Sequence, residues 1–213
     1  MFGLEYYSPW LVWIFPIVSS LFVPLTAKFG SKIRDSFVIL VGIITLVLAV
    51  SMVPTVYLGN IKNPPKVEWI PIANIKLGVL FDPLSVLFVN LVAFIGLVVL
   101  VYSLGYMAHE EGLTRYYFFM LFFIGSMIGL VIADNLLQLF IFWELVGLCS
   151  YALVSFWYKR PEAVKAGVKV FLMTKVGDIA LLAGILLIYA NLQVLSFEQI
   201  FERYETIATP TLT

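Results

Sequence analysis

Three charged side chains lie where an apolar chain should carry none. Glu144 sits inside the run NLLQLFIFWELVGLCSYALVSFWY, and Lys175 and Asp178 sit inside AGVKVFLMTKVGDIALLAGILLIY. A charge at mid-bilayer costs roughly 2.5–3.5 kcal/mol on insertion scales, so such groups face a protein or water-filled interior, pair, or neutralise. Lys175 and Asp178, at i and i+3, share one helix face. Two carboxylates competing for one ammonium leave one acid without a full counter-charge, which is what a proton relay needs. The plainer alternative is structural: a neutralised Lys175–Asp178 pair pinning two helices, with Glu144 as interhelical glue.

Other polar residues carry weaker signals. Lys169 is about one turn inside its span, where a lysine snorkels to the interface, with an accessory place in the cluster as the sharper reading. His109, beside Glu110 and Glu111 in a loop, reads as a solvated residue, with an accessory role in proton entry as the alternative. Asn90 and Gln138 read as interhelical hydrogen-bonders, and Gly125 and Gly129 form a GxxxG pair suited to close helix packing. Cys149 reads as a small buried side chain.

The elements that must position these groups are transmembrane helices. The 213 residues are 62% hydrophobic and 12% charged, with a mean hydropathy of +1.03, more apolar surface than one soluble core could hide. The expected fold class is therefore an all-α polytopic membrane protein. A span needs roughly 20 apolar residues. Six stretches qualify, near 9–27, 36–56, 83–106, 114–133, 136–157 and 165–190. Between the second and third, GNIKNPPKVEWIPIANIKLGVLFD has the Pro, Gly and alternating apolar residues of an extended or hairpin segment outside the bilayer. Asp82-Pro83 should cap the third span, Thr114 the fourth, and Asp134 or Asn135 the fifth; Arg160-Pro161-Glu162 breaks the fifth from the sixth. Ser196 and Gln199 have capping-box spacing before an interfacial helix, with Phe197, Ile200, Phe201 and Tyr204 towards the membrane. With no basic n-region and no A-x-A-like site, the first span reads as retained.

The fifth and sixth spans run antiparallel across a short loop. Glu144 and Asp178 are each about thirteen residues from that loop, roughly 20 Å deep, with Lys175 one turn nearer to it. All three should meet in one mid-membrane cluster. Seven bases (Lys28, Lys32, Arg34, Arg115, Lys159, Arg160, Lys165) fall on one side and four (Lys62, Lys66, Lys76, Arg203) on the other. The richer side should be cytoplasmic, in the cell membrane, with both termini outside.

Several chemistries are disfavoured. Zero net charge gives no reason to expect nucleic acid. One cysteine and one histidine leave no disulfide framework and no cysteine- or histidine-rich site for iron–sulfur, zinc or haem. No P-loop and no GxGxxG after a strand is present. The chain is expected to hold neither cofactor nor metal.

DPLSVLF, YSLGYMAHEEG, ADNLLQLFIFWELVGLCSYALVSFWY and TKVGDIALLAGILL, in that order, resemble one family. It is the antiporter-like large membrane subunit of respiratory complex I, shared with Mrp-type cation/proton antiporters and membrane-bound hydrogenase-like complexes. The resemblance is strong over roughly 80–205 and only one of layout before that. It implies that Glu144 is the family's fifth-helix glutamate, which pairs with a lysine on a seventh helix. It also maps the family's VGD motif onto Val176-Gly177-Asp178, with Lys175 where relatives often carry arginine. Such subunits move protons or Na+ and bind no redox cofactor, while iron–sulfur clusters of a separate redox arm supply the free energy. The layout divides as two helices and an external loop (1–78), a four-helix part of the antiporter-like module (79–193) and an interfacial segment (194–213). Family members usually have about fourteen or more helices, with two inverted five-helix repeats. The resemblance therefore implies that other membrane subunits, besides lipid, surround this chain, and that one supplies the missing helices. Three functions compete: an ion-translocating subunit, or half of one, of a redox-driven complex; a component of an Mrp-type secondary antiporter; and a non-transporting scaffold.

Overall fold

The computed structural model describes residues 4–58, 64–70 and 75–208. Ten elements follow in chain order: α1 (Leu4–Lys28), α2 (Ser31–Ser51), α3 (Val53–Tyr57), β1 (Val67–Ile70), β2 (Ile75–Leu77), α4 (Pro83–Tyr106), α5 (Leu113–Val131), α6 (Leu136–Val154), α7 (Pro161–Leu192) and α8 (Phe197–Ala208). Among the described residues, six helices are long and apolar enough to cross a membrane. The extended segment is an antiparallel hairpin pairing Val67 with Leu77 and Glu68 with Lys76.

Three of the expected helix starts differ. The fourth span, α5, begins at Leu113 with Gly112 as N-cap in the left-handed region (φ 85°), not with Thr114 as cap. The last span, α7, begins at Pro161 rather than near 165 and is 32 residues long. Proline at the first helical turn gives up an N–H that would have no intrahelical partner anyway, so the helix starts there even though hydropathy rises later. At 1.5 Å per residue α7 is about 48 Å long, well beyond the roughly 30 Å of hydrocarbon, so it tilts or projects. The capping box before α8 is not formed. Ser196 pairs through its backbone with Asn135, and its Oγ meets no partner among the described residues. The Tyr204 side chain lies outside the described residues. Asp82 caps α4 by accepting from Ser85 N (2.6 Å), and Asn135, not Asp134, caps α6 by accepting from Gln138 N (2.8 Å).

One core runs through α1, α2, α4 and α5, with Val12, Val38, Val89, Leu100, Leu121 and Ile128 fully or nearly fully buried. In lipid, close packing rather than hydrophobic transfer holds helices together, so small residues sit where backbones approach. A Cβ at Gly125 would lie 2.6 Å from Ile17 and 2.9 Å from the Trp13 carbonyl on α1; one at Gly129 would lie 2.4 Å from the Phe142 ring on α6. The GxxxG pair thus seats α5 against a helix on each side. Asn90 donates to Ala49 O on α2 (3.1 Å) as well as to Val86 O. The last span, α7, packs chiefly against α6 and is the least covered of the six.

Replacing Gly125 with Val should therefore lower stability by about 1–3 kcal/mol, the usual cost of overpacking against rigid backbone. Gly147→Ala, where no atom lies within 4 Å of the new Cβ, should be neutral. The midpoints of unfolding in mild detergent, measured for both variants, check the contrast.

Candidate functional site

The α6–α7 hairpin brings the intramembrane charges together. Ser155 faces Gly167 near the turn, Tyr151 packs on Phe171 one turn further in, and Glu144 then lies opposite Lys175. Lys175 Nζ hydrogen-bonds to Glu144 Oε2 and lies 3.0 Å from Asp178 Oδ2, so one ammonium bridges two carboxylates. Asp178 is the buried member, with 7% of its side chain exposed; Glu144 and Lys175 each expose about 30%. An exposed ion pair at that depth cannot face lipid tails without a cost of several kcal/mol. The uncovered side of α6 and α7 is therefore a surface for further protein or for water.

A fourth residue joins the cluster that the charge pattern alone did not reveal. Trp143 Nε1 donates to Asp178 Oδ1 at 2.8 Å. The signal was present, because a tryptophan in mid-span, away from the interfacial belts, needs a partner for its N–H. Trp143 and Asp178 line a groove of about 360 Å³ with Leu139, Met173, Thr174, Gly177 and Leu181.

The accessory candidates stand apart. Lys169 is exposed and lines a shallow apolar groove with Val164, Lys165, Val168, Leu172 and Met173. His109 is exposed at the basic end of the bundle. It lines a cavity of about 430 Å³ with Glu110, Arg115, Phe156, Trp157 and Lys159. Twelve residues of rise separate Glu144 from Phe156, about 18 Å. In that cavity Trp157 donates to Glu110 (2.8 Å), and Lys159 pairs with Glu111 (2.6 Å). The Lys159 hydrogen bond and charge hold the Glu111 carboxyl below its usual range.

At the opposite end, a second ionic group ties the hairpin to the bundle. Lys66 reaches both Asp134 and Glu198 at 3.2 Å, over a cavity of about 160 Å³. Backbone bonds converge there too: Leu80 N to Ile132 O (2.9 Å), Leu136 N to Leu195 O (3.0 Å) and Phe197 N to Asp134 O (3.2 Å). Asn135 Nδ2 donates to Lys76 O at 2.9 Å. Gln138, expected between helices, instead accepts from Gly78 N beside the hairpin (3.4 Å) and from Asn135 (3.3 Å). Sequence reading missed this group because its members are 64 or more residues apart and each looks like an ordinary loop charge. Burial works against the Lys66 ammonium, but the charge and hydrogen bonds of Asp134, then Glu198, outweigh it and hold its pKa above the ordinary lysine value. No cluster of three or more metal-ligating side chains occurs among the described residues.

Residues 133–212 match the family described as NADH:quinone oxidoreductase/Mrp antiporter, transmembrane region, and 69–117 match the NADH-ubiquinone oxidoreductase (complex I) chain 5 N-terminus. The chloroplastic NAD(P)H-quinone oxidoreductase subunit 5 of Anthoceros angustus is 36% identical over 96% of this chain; that of Digitalis grandiflora is 45% identical over 63%. The chain spans 29% of the length of the former and 19% of the latter. Among solved structures, an archaeal membrane-bound sulfane sulfur reductase shares the fold, with a TM-score of 0.79 and 21% identity over 90% of this chain and 39% of its own. The Mrp complex from Dietzia sp. DQ12-45-1b gives a TM-score of 0.76 and 27% identity over 90% of this chain and 20% of its own.

Because the Lys66 pKa is raised on folding, its contribution is complete at pH values below the ordinary lysine pKa and is lost as pH rises through the raised one. Lys66→Met should therefore destabilise the hairpin end of the bundle at neutral pH by about 1–3 kcal/mol, the cost of leaving a buried carboxylate unpaired. Faster amide exchange in residues 75–80 and 195–197, with α4 unaffected, is the expected readout.

Proposed function

Since the chain belongs to the family of antiporter-like membrane subunits shared by NADH:quinone oxidoreductases and Mrp antiporters, we propose that it is an ion-translocating subunit, or part of one, of a redox-driven respiratory complex. The observation that carries this reading is the mid-membrane bridge in which Lys175 serves both Glu144 and Asp178. A single ammonium between two carboxylates leaves the cluster one proton short of neutral, so a proton can be held or released there without unfolding anything. Water reaching the cluster from the basic side supplies the proton. A charge change in neighbouring protein alters which state is favoured, and the proton moves laterally towards a basic group on the uncovered side of α6 and α7. In this reading the iron–sulfur centres belong to partner subunits, as do the electron donor and acceptor. The basic loops face the cytoplasm, the hairpin and α8 lie outside, and further membrane protein covers the Glu144–Lys175 face.

The Mrp likeness supports a second reading, in which the same cluster serves a secondary cation/proton antiporter without a redox arm. The chains that co-purify in mild detergent separate the two: iron–sulfur subunits favour the first, and membrane subunits alone the second.

Glu144→Gln in the assembled complex should reduce ion movement by about two orders of magnitude, the scale on which losing a positioned proton-transfer group acts. Assembly should be unchanged, because glutamine keeps the shape and the hydrogen bond. Ion uptake into vesicles, normalised to the complex present, measures it. Full transport in this variant would leave the chain a scaffold.

A further inference from the structure

The cluster contains two carboxylates, and they are not equivalent. Asp178 accepts from Trp143 on Oδ1 at 2.8 Å and faces Lys175 through Oδ2 at 3.0 Å, so each of its oxygens has its own donor. Among the described residues, Glu144 accepts one hydrogen bond, from Lys175. Asp178 is also the buried one, with 7% of its side chain exposed against 30% for Glu144, so it lacks the water that solvates Glu144 and its charge depends on these two donors. A carboxylate with a donor on each oxygen keeps its charge, because protonating it would break a charge-assisted hydrogen bond. The charged groups around Asp178 from both packed helices are Glu144 on α6 and Lys175 on α7. Lys175 hydrogen-bonds to Glu144 and lies 3.0 Å from Asp178, whereas the indole serves Asp178 alone.

Resting on the ion-translocating reading above, we propose that Trp143 is a positioning residue: its indole N–H holds Asp178 as the permanent anion of the cluster and so assigns the exchangeable proton to Glu144. Lys175 then has one fixed counter-ion and one that comes and goes. The indole is rigid, with two side-chain torsions, and lies across the groove between α6 and α7. It therefore fixes the orientation of Asp178 whichever way Lys175 leans. Trp143 is itself 48% exposed on the uncovered face. A neighbouring helix that pushed the indole aside would release Asp178 and change which acid takes the proton.

The test is pH-difference infrared spectroscopy of the protonated carboxyl band on the assembled complex in lipid vesicles. In the wild type, one cluster signal should appear on acidification, vanish in Glu144→Gln and persist in Asp178→Asn. Trp143→Phe keeps the ring and removes the N–H. It should add a second signal at the pH where the wild type shows one, and adding Asp178→Asn should remove that second signal. A Trp143→Phe spectrum identical to the wild type overturns the proposal. So does a wild-type signal that Asp178→Asn abolishes, which decides the matter even if the Trp143 variant does not assemble. Vesicle ion uptake by Glu144→Gln is read separately. Unimpaired uptake refutes translocation through this cluster, while the spectra still decide whether Trp143 sorts the two acids.

Discussion

A lysine can remain charged inside an apolar helix pair only if carboxylates meet it there, and the α6–α7 hairpin is organised around that requirement. Lys175 is bridged to Glu144 across the helices and to Asp178 along its own helix. The register that achieves this is set near the turn, where Gly167 lets Ser155 approach and Tyr151 packs on Phe171. Moving α7 along α6 by one turn, about 5.4 Å, would separate Lys175 from Glu144 and leave Glu144 unpaired at mid-membrane, with only Asp178 moving along with Lys175. The electrostatic cost of that separation holds the register more firmly than apolar packing against lipid-like side chains could.

The remaining helices give the hairpin something fixed to stand on. Through Gly129, α5 takes the Phe142 ring one residue before Trp143, and through Gly125 it takes α1. The site is therefore attached on its covered side to the best-packed part of the protein. Its uncovered side carries half-exposed Glu144, Lys175 and Trp143. A charge cluster rigid on one side and open on the other suits a subunit that responds to its neighbours. At the end of the bundle that carries β1 and β2, the short turn at 133–136 receives the β-hairpin from one direction and the start of α8 from the other. Lys66 bridges the two carboxylates that gather there.

Much of this was legible because the membrane imposes simple rules. Runs such as LVAFIGLVVLV can only be spans, and a charged residue within one has few places to go. The meeting of Glu144, Lys175 and Asp178 followed from depth and a short antiparallel connection, even though α6 ends at Val154 and α7 begins at Pro161 rather than at 157 and 165. Helix starts were less legible. Hydropathy reports where lipid begins, whereas a helix begins where backbone N–H groups can be left over. Gly112 and Pro161 mark such points and Thr114 does not.

The amino-acid order by itself determined the six spans, the hairpin between the second and third, the intramembrane charges and the family. Each of these depends on local composition or on spacing within one helix. Only the tertiary structure decided that Trp143 donates to Asp178, that Lys66 joins Asp134 to Glu198, and that Gln138 serves the hairpin rather than another helix. Those contacts join residues 35 to 132 positions apart. Which donor reaches which acceptor depends on how helices rotate and slide when they pack, and no local pattern in the chain encodes that.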